Sequence, residues 1–333
     1  MTDRVAVLGA GSWGTTLADL LARKGNDVRL WAYEAEVVES VNRARENAVF
    51  LPGVVLNERV RAHADARDAV AGAAVLVSAA PSHAVRAVVG RVRGCVPDGT
   101  LVVSVTKGFE LDTLERMSTV LGEALPGARV AVLSGPSFAQ EVCEEQPTAV
   151  VAAAADPADA LDAQRVFATP AFRVYSHADV VGVELAGALK NVIAIAAGIL
   201  EGLGLGHNPR AALLTRGLAE ISRLGVAMGA DPLTFAGLAG MGDLILTACG
   251  QLSRNRALGV ALAQGQSFEA YRAAHRSVAE GANASRAGAA LAARAGVELP
   301  ITTKVCEVLF DGRPARDGVA ELMGRELKPE LWR

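Results

Sequence analysis

The sequence predicts an α/β fold: a doubly wound parallel sheet over residues 1–182, then an all-helical domain over residues 183–333. Three observations carry that reading. Short β-branched runs alternate with alanine-rich helical stretches up to about residue 176, the pattern of a parallel sheet covered on both faces. Beyond Val180 the strand signals stop and helical spacing takes over. The chain has 333 residues, 51% hydrophobic and 21% charged, enough for about two domains of roughly 150 residues each.

The strands are expected at residues 5–8, 28–31, 75–78, 101–105, 130–133, 149–152 and 172–175. The helices of the second part are expected at 183–203, 210–228, 231–239, 254–263, 285–295 and 302–310. No repeat of solenoid spacing and no low-complexity segment interrupts this plan. Lys plus Arg total 33 against 36 for Asp plus Glu, a net charge of −3, so no global field draws nucleic acid or an anionic membrane. With 4% aromatics there is no stacking platform for bases. Cys95, Cys143, Cys249 and Cys306 lie far apart and suggest neither a disulfide framework nor a zinc knuckle. His63, His83, His177, His207 and His275 show no i, i+4 pairing, so no metal site is expected. The first apolar run meets glycine too soon for a signal peptide. The longest one, residues 180–205, carries Glu184, Lys190 and Glu201, against insertion of a segment that needs about 20 apolar residues. The expectation is a soluble, cytoplasmic protein.

Ligands of open α/β sheets bind beyond the carboxyl ends of the strands. Four strand ends here are polar or glycine-rich: GAGSWG at 9–14, SAAPSH at 78–83, SVTKG at 104–108 and SGPSF at 134–138. All four should converge on one edge. The first is a G-x-G-x-x-G between a strand and a helix. Gly9 permits the turn, Gly11 admits a pyrophosphate close to the backbone, and Gly14 lets helix and strand pack. The helix start then offers free N–H groups to phosphates. At the end of the second strand, Glu34 favours the ribose hydroxyls of NAD, although it lies one or two residues late and Arg45 could swing in; cofactor choice stays open.

Arg outnumbers Lys 28 to 5, so lysine is not a routine surface residue here. Lys107 stands at a strand end. Lys190 stands in a helix apolar all round, where burial would lower its pKa into the range useful for proton transfer; the alternative is a lysine snorkelling to the helix edge. Asp243, in Gly-Met-Gly-Asp at 240–243, could orient the Lys190 amine or simply cap a helix. Ser253-Arg254-Asn255-Arg256 opens a helix with a Ser cap and a guanidinium fork, which suits a phosphate monoester and equally suits ordinary capping. Residues 135–139, Gly-Pro-Ser-Phe-Ala, miss the hydrolase G-x-S-x-G by one residue, with no partner His and carboxylate in the required order.

Together these segments resemble the bacterial NAD(P)-dependent glycerol-3-phosphate dehydrogenases from residue 5 to about residue 310. The matching pieces are GAGSWGTTLA at 9–18, RENAVFLPG at 45–53, TKGFE at 106–110, LSGPSFAQE at 133–141 and GALKNVIAI at 187–195. They continue with TRGLAE at 215–220, GMGDL at 240–244, SRNR at 253–256 and VAEG at 278–281. The resemblance implies a Rossmann-type first domain binding NAD(H) or NADP(H), a helical second domain, and no metal. It implies Lys190 as catalytic acid/base supported by Asp243. It implies Lys107, Gly135, Ser137, Lys190, Asp243, Ser253, Arg254 and Asn255 as the pocket for a small phosphorylated substrate. Cofactor contacts are implied for Gly9, Gly11, Ser12, Trp13, Gly14, Tyr33, Lys107, Ala139, Arg254, Val278 and Glu280. The reaction implied is reduction of dihydroxyacetone phosphate to sn-glycerol 3-phosphate, feeding phospholipid synthesis.

Two positions depart from the family pattern. Ala32 and Tyr33 stand where members often carry Arg or His, which weakens an NADPH preference, and Pro209 replaces a usual Thr at a helix start. The competing readings are a related dehydrogenase acting on another hydroxy acid or keto acid, which would not need the SRNR clamp, and a non-catalytic dinucleotide sensor, which would not need Lys190. The helical part has apolar surface enough for a homodimer, and no segment specifies one.

Overall fold

A computed structural model describes residues 3–275, 279–327 and 329–330. Eight strands, β1 (Arg4–Leu8), β2 (Asp27–Trp31), β3 (Val60–His63), β4 (Val75–Ser78), β5 (Leu101–Ser104), β6 (Arg129–Ser134), β7 (Thr148–Ala154) and β8 (Phe172–His177), form one sheet. Their order is β3-β2-β1-β4-β5-β6-β7-β8. The apolar runs of β1, β4 and β5 are buried on both faces. Val5, Val7, Val77 and Val103 pack with Leu17 and Leu21 of the Ser12–Arg23 helix. Ala6, Leu8, Leu76 and Val102 pack on the other side with Val85, Met117 and Leu121. This is the doubly wound arrangement the alternation predicts.

Two details correct the sequence reading. β3 was not anticipated: its four residues, Val-Arg-Ala-His, bury only Val60 and Ala62, so Arg61 and His63 dilute the apolar signal. The sheet is also not parallel throughout. β7 runs antiparallel to β6, and β8 is parallel to β7. The four strand ends singled out above do share one edge, because β1, β4, β5 and β6 are mutually parallel with Leu8, Ser78 and Ser104 in register.

No strand follows His177 among the described residues, and the long helix Val180–Gly202 begins three residues later. Asp179 caps it, accepting from the Gly182 N–H at 2.8 Å. Val183 packs with Val132 of β6, and a Cβ on Gly187 would touch the Ser134 hydroxyl at 2.8 Å. Four helical residues rise about 6 Å and two strand residues about 6.6 Å. The helix therefore climbs alongside β6 in the same direction and carries its next turn, with Lys190, past the sheet edge. The reversal at β7 makes this possible, since β8 brings the chain back down before the helix climbs. By length and hydropathy this helix could cross a membrane, but 89% of its most apolar window is buried inside the protein.

Around it pack His207–Ala227, Arg254–Ala263, Glu280–Ala295 and Pro300–Phe310. Gly198 and Gly259 bring two helix backbones together: a Cβ on Gly259 would meet Ile199 N at 2.8 Å and collide with the Ile195 carbonyl. The helix expected at 231–239 is instead a short 3-10 helix, Pro232–Ala236, and a π turn, Leu238–Gly242. Pro232 only starts the first of these, and Gly237, Gly240 and Gly242 lower the helix propensity of the segment that follows. The sequence marks a candidate helix start at Asp243, where Asp243–Cys249 begins, but it does not mark Phe268–Ala274 or Ala315–Met323; each is nine residues or shorter, too few turns for a clear period.

Candidate active site

The glycine loop is built to be thin. Gly9 has φ +120°, and a Cβ there would lie 2.7 Å from the Ala79 and Ala80 backbone. A Cβ on Gly14 would collide with the Gly9 carbonyl and lie 3.0 Å from Ala79 Cβ. Gly11 differs: a Cβ on it would meet nothing within 4 Å, so the space beside it is open. Gly11 is also the N-cap of Ser12–Arg23, whose first N–H groups take no side-chain cap. That is an anion seat suited to a pyrophosphate. Ser12 and Trp13 are half-buried beside it, the Trp13 ring 6.4 Å from Phe172. Asn47, quoted above only within a motif, braces the loop from below: its amide donates to the Ala10 carbonyl and the Thr15 hydroxyl, both at 2.8 Å. At the end of β2, Ala32 is buried while Tyr33 is 75% exposed, and Glu34 caps the next helix with its backbone alone.

Beyond the same sheet edge, the two notable lysines meet one carboxylate, Lys107 from the turn after β5 and Lys190 from the long helix. Asp243 Oδ1 accepts from Lys190 Nζ at 2.5 Å, and Oδ2 accepts from Lys107 Nζ at 2.6 Å. Asp243 is the first residue of the Asp243–Cys249 helix, but Gly242 is its N-cap and no side chain caps it, so of the two readings the structure carries the one in which Asp243 holds the amine. Lys190 also donates to Thr247 Oγ1 at 2.5 Å. Thr247 escaped the sequence reading, although its i+4 spacing from Asp243 was a usable signal once a helix was placed there. The Lys190 side chain is 7% exposed and that of Asp243 1%. Lys190 is thus buried rather than snorkelling. Burial lowers its pKa to about 7; Asp243 pulls it up and the charge on Lys107 pushes it further down. Two cations on one carboxylate leave the cluster with a net positive charge when both amines are protonated, which suits an anionic substrate.

Lys107 also donates to the Gly135 carbonyl at 3.0 Å, and Ser137 Oγ donates to the same carbonyl at 3.1 Å. Gly135 has φ +141°, and a Cβ would press on Val150 Cα at 2.9 Å, so the turn after β6 needs glycine there. Ala139 opens the short helix after this turn. Ser78, Ser104 and Ser134 end β4, β5 and β6, and their buried hydroxyls have no partner among the described residues.

The third wall is the start of the Arg254–Ala263 helix. Ser253 caps it through the Arg256 N–H at 3.2 Å. Asn255 is largely committed, its Oδ1 accepting from Gly281 N at 3.0 Å and its Nδ2 donating to Asn191 Oδ1 at 2.9 Å, which leaves one N–H to offer. Arg256 is taken by Glu201, through Nε at 2.8 Å and Nη2 at 2.5 Å, and so is not the fork that faces the cleft. Arg254 is. It is solvent-accessible yet hemmed by surrounding protein, which lowers its pKa against the pull of Glu280 and Tyr271; a guanidinium stays charged regardless. Glu280 accepts from Ser82 across the cleft. Val278 lies outside the described residues. No group of three or more His, Cys, Asp or Glu able to hold a metal occurs among the described residues.

Two family models match nearly end to end: the NAD-dependent glycerol-3-phosphate dehydrogenase N-terminus over residues 4–160 and C-terminus over residues 179–320. A glycerol-3-phosphate dehydrogenase, NAD(P)+, of Geobacter sulfurreducens is 56% identical, with all of both chains aligned. One of Nitratidesulfovibrio vulgaris is 53% identical over 98% of this chain and 100% of its own. A crystal structure of glycerol-3-phosphate dehydrogenase from Coxiella burnetii superposes with a TM-score of 0.93 at 38% identity, covering 97% of this chain and 99% of that one. A thin glycine loop facing a lysine-carboxylate cluster, and matches of this length and identity, agree: the chain belongs to the NAD(P)-dependent glycerol-3-phosphate dehydrogenase family.

Proposed function

We propose that the cleft reduces dihydroxyacetone phosphate to sn-glycerol 3-phosphate, with Lys190 as the proton donor. The observation that carries this is the buried Lys190–Asp243–Lys107 chain at the edge where the glycine loop opens. A bound nicotinamide supplies the hydride. The protein's part is to hold the ketone and to deliver a proton to its oxygen. Lys190, with a pKa near neutrality, gives up that proton more readily than an ordinary lysine and can recover it from solvent. Asp243 and Thr247 fix the amine so that it points one way. Lys107, Gly135, Ser137, Ser253, Arg254 and Asn255 form the substrate pocket, with Arg254 the phosphate partner. Gly9, Gly11, Ser12, Trp13, Gly14, Tyr33, Lys107, Ala139, Arg254, Val278 and Glu280 line the cofactor side.

The same reading divides the chain into a dinucleotide-binding domain, 1–182, and a helical substrate domain, 183–333, supported by the last strand ending at His177. It places the enzyme in the cytoplasm, where its product would enter phospholipid synthesis. It allows a homodimer through the helical part, where Leu233, Met241, Ile245 and Leu252 are exposed; sedimentation at two concentrations tests that. The decisive assay is loss of reduced-nicotinamide absorbance with dihydroxyacetone phosphate, run in parallel with the unphosphorylated ketone. Turnover restricted to the phosphorylated ketone supports the proposal. Protein that binds cofactor but turns over neither would overturn it.

A further inference from the structure

Glu280 opens the Glu280–Ala295 helix, yet its carboxylate is committed to the opposite side of the cleft. Oε1 accepts from the Ser82 backbone N–H at 3.0 Å and Oε2 from the Ser82 hydroxyl at 2.7 Å. Ser82 begins the 3-10 turn Ser82–Ala84 just beyond β4 and is itself buried. Gly108, beyond β5, makes the room. A Cβ there would sit 2.7 Å from Ser82 Cβ and 3.3 Å from Glu280 Oε2. Two donors from one residue on one carboxylate set its direction as well as its place. The charge so seated also acts on Arg254. Without the Ser82 hydroxyl the carboxylate loses half its seat and is freer to turn toward that guanidinium. Pairing with Glu280 would neutralise the cation that a phosphate needs.

We propose that Ser82 is a positioning residue for the cofactor, holding Glu280 across the cleft so that Arg254 stays free for anionic groups. The proposal rests on the reading of Glu280 and Arg254 as cofactor contacts. Ser82 acts only through Glu280, and this separates it from a residue that merely stabilises the fold.

The test is a fluorescence titration of NADH, which needs no substrate, into the full-length wild type, Ser82→Ala, Glu280→Ala and the double variant, with steady-state kcat measured alongside. Ser82→Ala is expected to weaken NADH binding about tenfold, the worth of one hydrogen bond to a charged group, while kcat stays within about twofold. In the Glu280→Ala background the Ser82→Ala step should disappear. An equal cost in both backgrounds, unchanged NADH affinity in Ser82→Ala, or a loss in kcat instead of affinity would overturn the proposal. Gly108→Ala, which pushes Ser82 off its partner from the other side, should reproduce the loss of affinity even if Ser82→Ala folds poorly; unchanged affinity there counts against it. Unchanged NADH affinity in Glu280→Ala would remove the underlying reading of Glu280 and the proposal together. Wild type that binds NADH but does not turn over dihydroxyacetone phosphate would instead strike the reaction alone.

Discussion

As the proposed proton donor, Lys190 has to meet two demands that oppose each other: it must be dry enough to lose its proton near neutral pH and held firmly enough to aim it. Burial meets the first and the Asp243 and Thr247 bonds meet the second. A sign follows for the pH profile. Reduction needs the ammonium form, so kcat for ketone reduction should fall as pH rises through about 7, while kcat for glycerol 3-phosphate oxidation, which needs the neutral amine, should rise. Parallel pH profiles in both directions check this. Lys190→Ala should lower kcat by at least about a hundredfold and leave NADH affinity within about twofold, read by steady-state rates and nucleotide fluorescence. At the other end of the cleft, Tyr33 is exposed and Ala32 is buried, so a guanidinium for an extra phosphate has room only at position 33. Tyr33→Arg should raise kcat/KM for NADPH relative to NADH by about tenfold, a gain of about 1.4 kcal/mol measured by the ratio of the two rates.

At the scale of elements, the catalytic helix is held by contacts that leave little slack. Alanine for glycine inside a helix gains up to about 1 kcal/mol in propensity. At Gly259 the new methyl would strike the Ile195 carbonyl, and overpacking of that kind costs about 1–3 kcal/mol. The second term wins. Gly259→Ala should therefore lower stability in denaturant titrations, and should raise the KM for substrate because the same helix carries Arg254. A second joint is Glu220 on His207–Ala227, which reaches over to accept from the Ile301 N–H at 2.8 Å and the Thr302 N–H at 3.3 Å. Its burial raises its pKa to about 7 against the pull of those N–H groups. A raised carboxyl pKa adds stability that is complete below the unfolded value of 4.5 and is lost as pH climbs through about 7. Glu220→Gln should remove that slope, so wild type should lose up to about 3 kcal/mol relative to the variant between pH 5 and 8, read by denaturant unfolding at each pH.

For the molecule as a whole, what was legible in the sequence was what local chemistry writes down. Short β-branched or apolar runs announced seven of the strands, although β8 buries only Phe172 and Val174, and the glycine loop, Lys107, Lys190 and Asp243 stood out by context. Strand direction is not written locally. The Ala-Val run of β7 reads like its neighbours, and only pairing with β6 shows that it points the other way. β3 was hidden by the polar side chains on its less covered face. The partners that brace the site, Asn47 beneath the glycine loop, Thr247 beside Lys190 and Asn191 behind Asn255, carry no signature until the chain is folded.

The distances along the chain have a consequence in time. Lys190 and Asp243 are 53 residues apart, Lys107 and Asp243 are 136 apart, and Ser82 and Glu280 are 198 apart. Each such contact closes a long loop and carries a larger entropic cost than the local contacts of the helices and strands that hold it, so it is expected to form after them. On dilution from denaturant, helical circular dichroism should return in an early phase, and NADH binding and turnover in a later one. Coincident recovery of all three signals would show that the cleft assembles along with its walls. A lag would mean that this chain spends part of its early life folded in outline and catalytically silent.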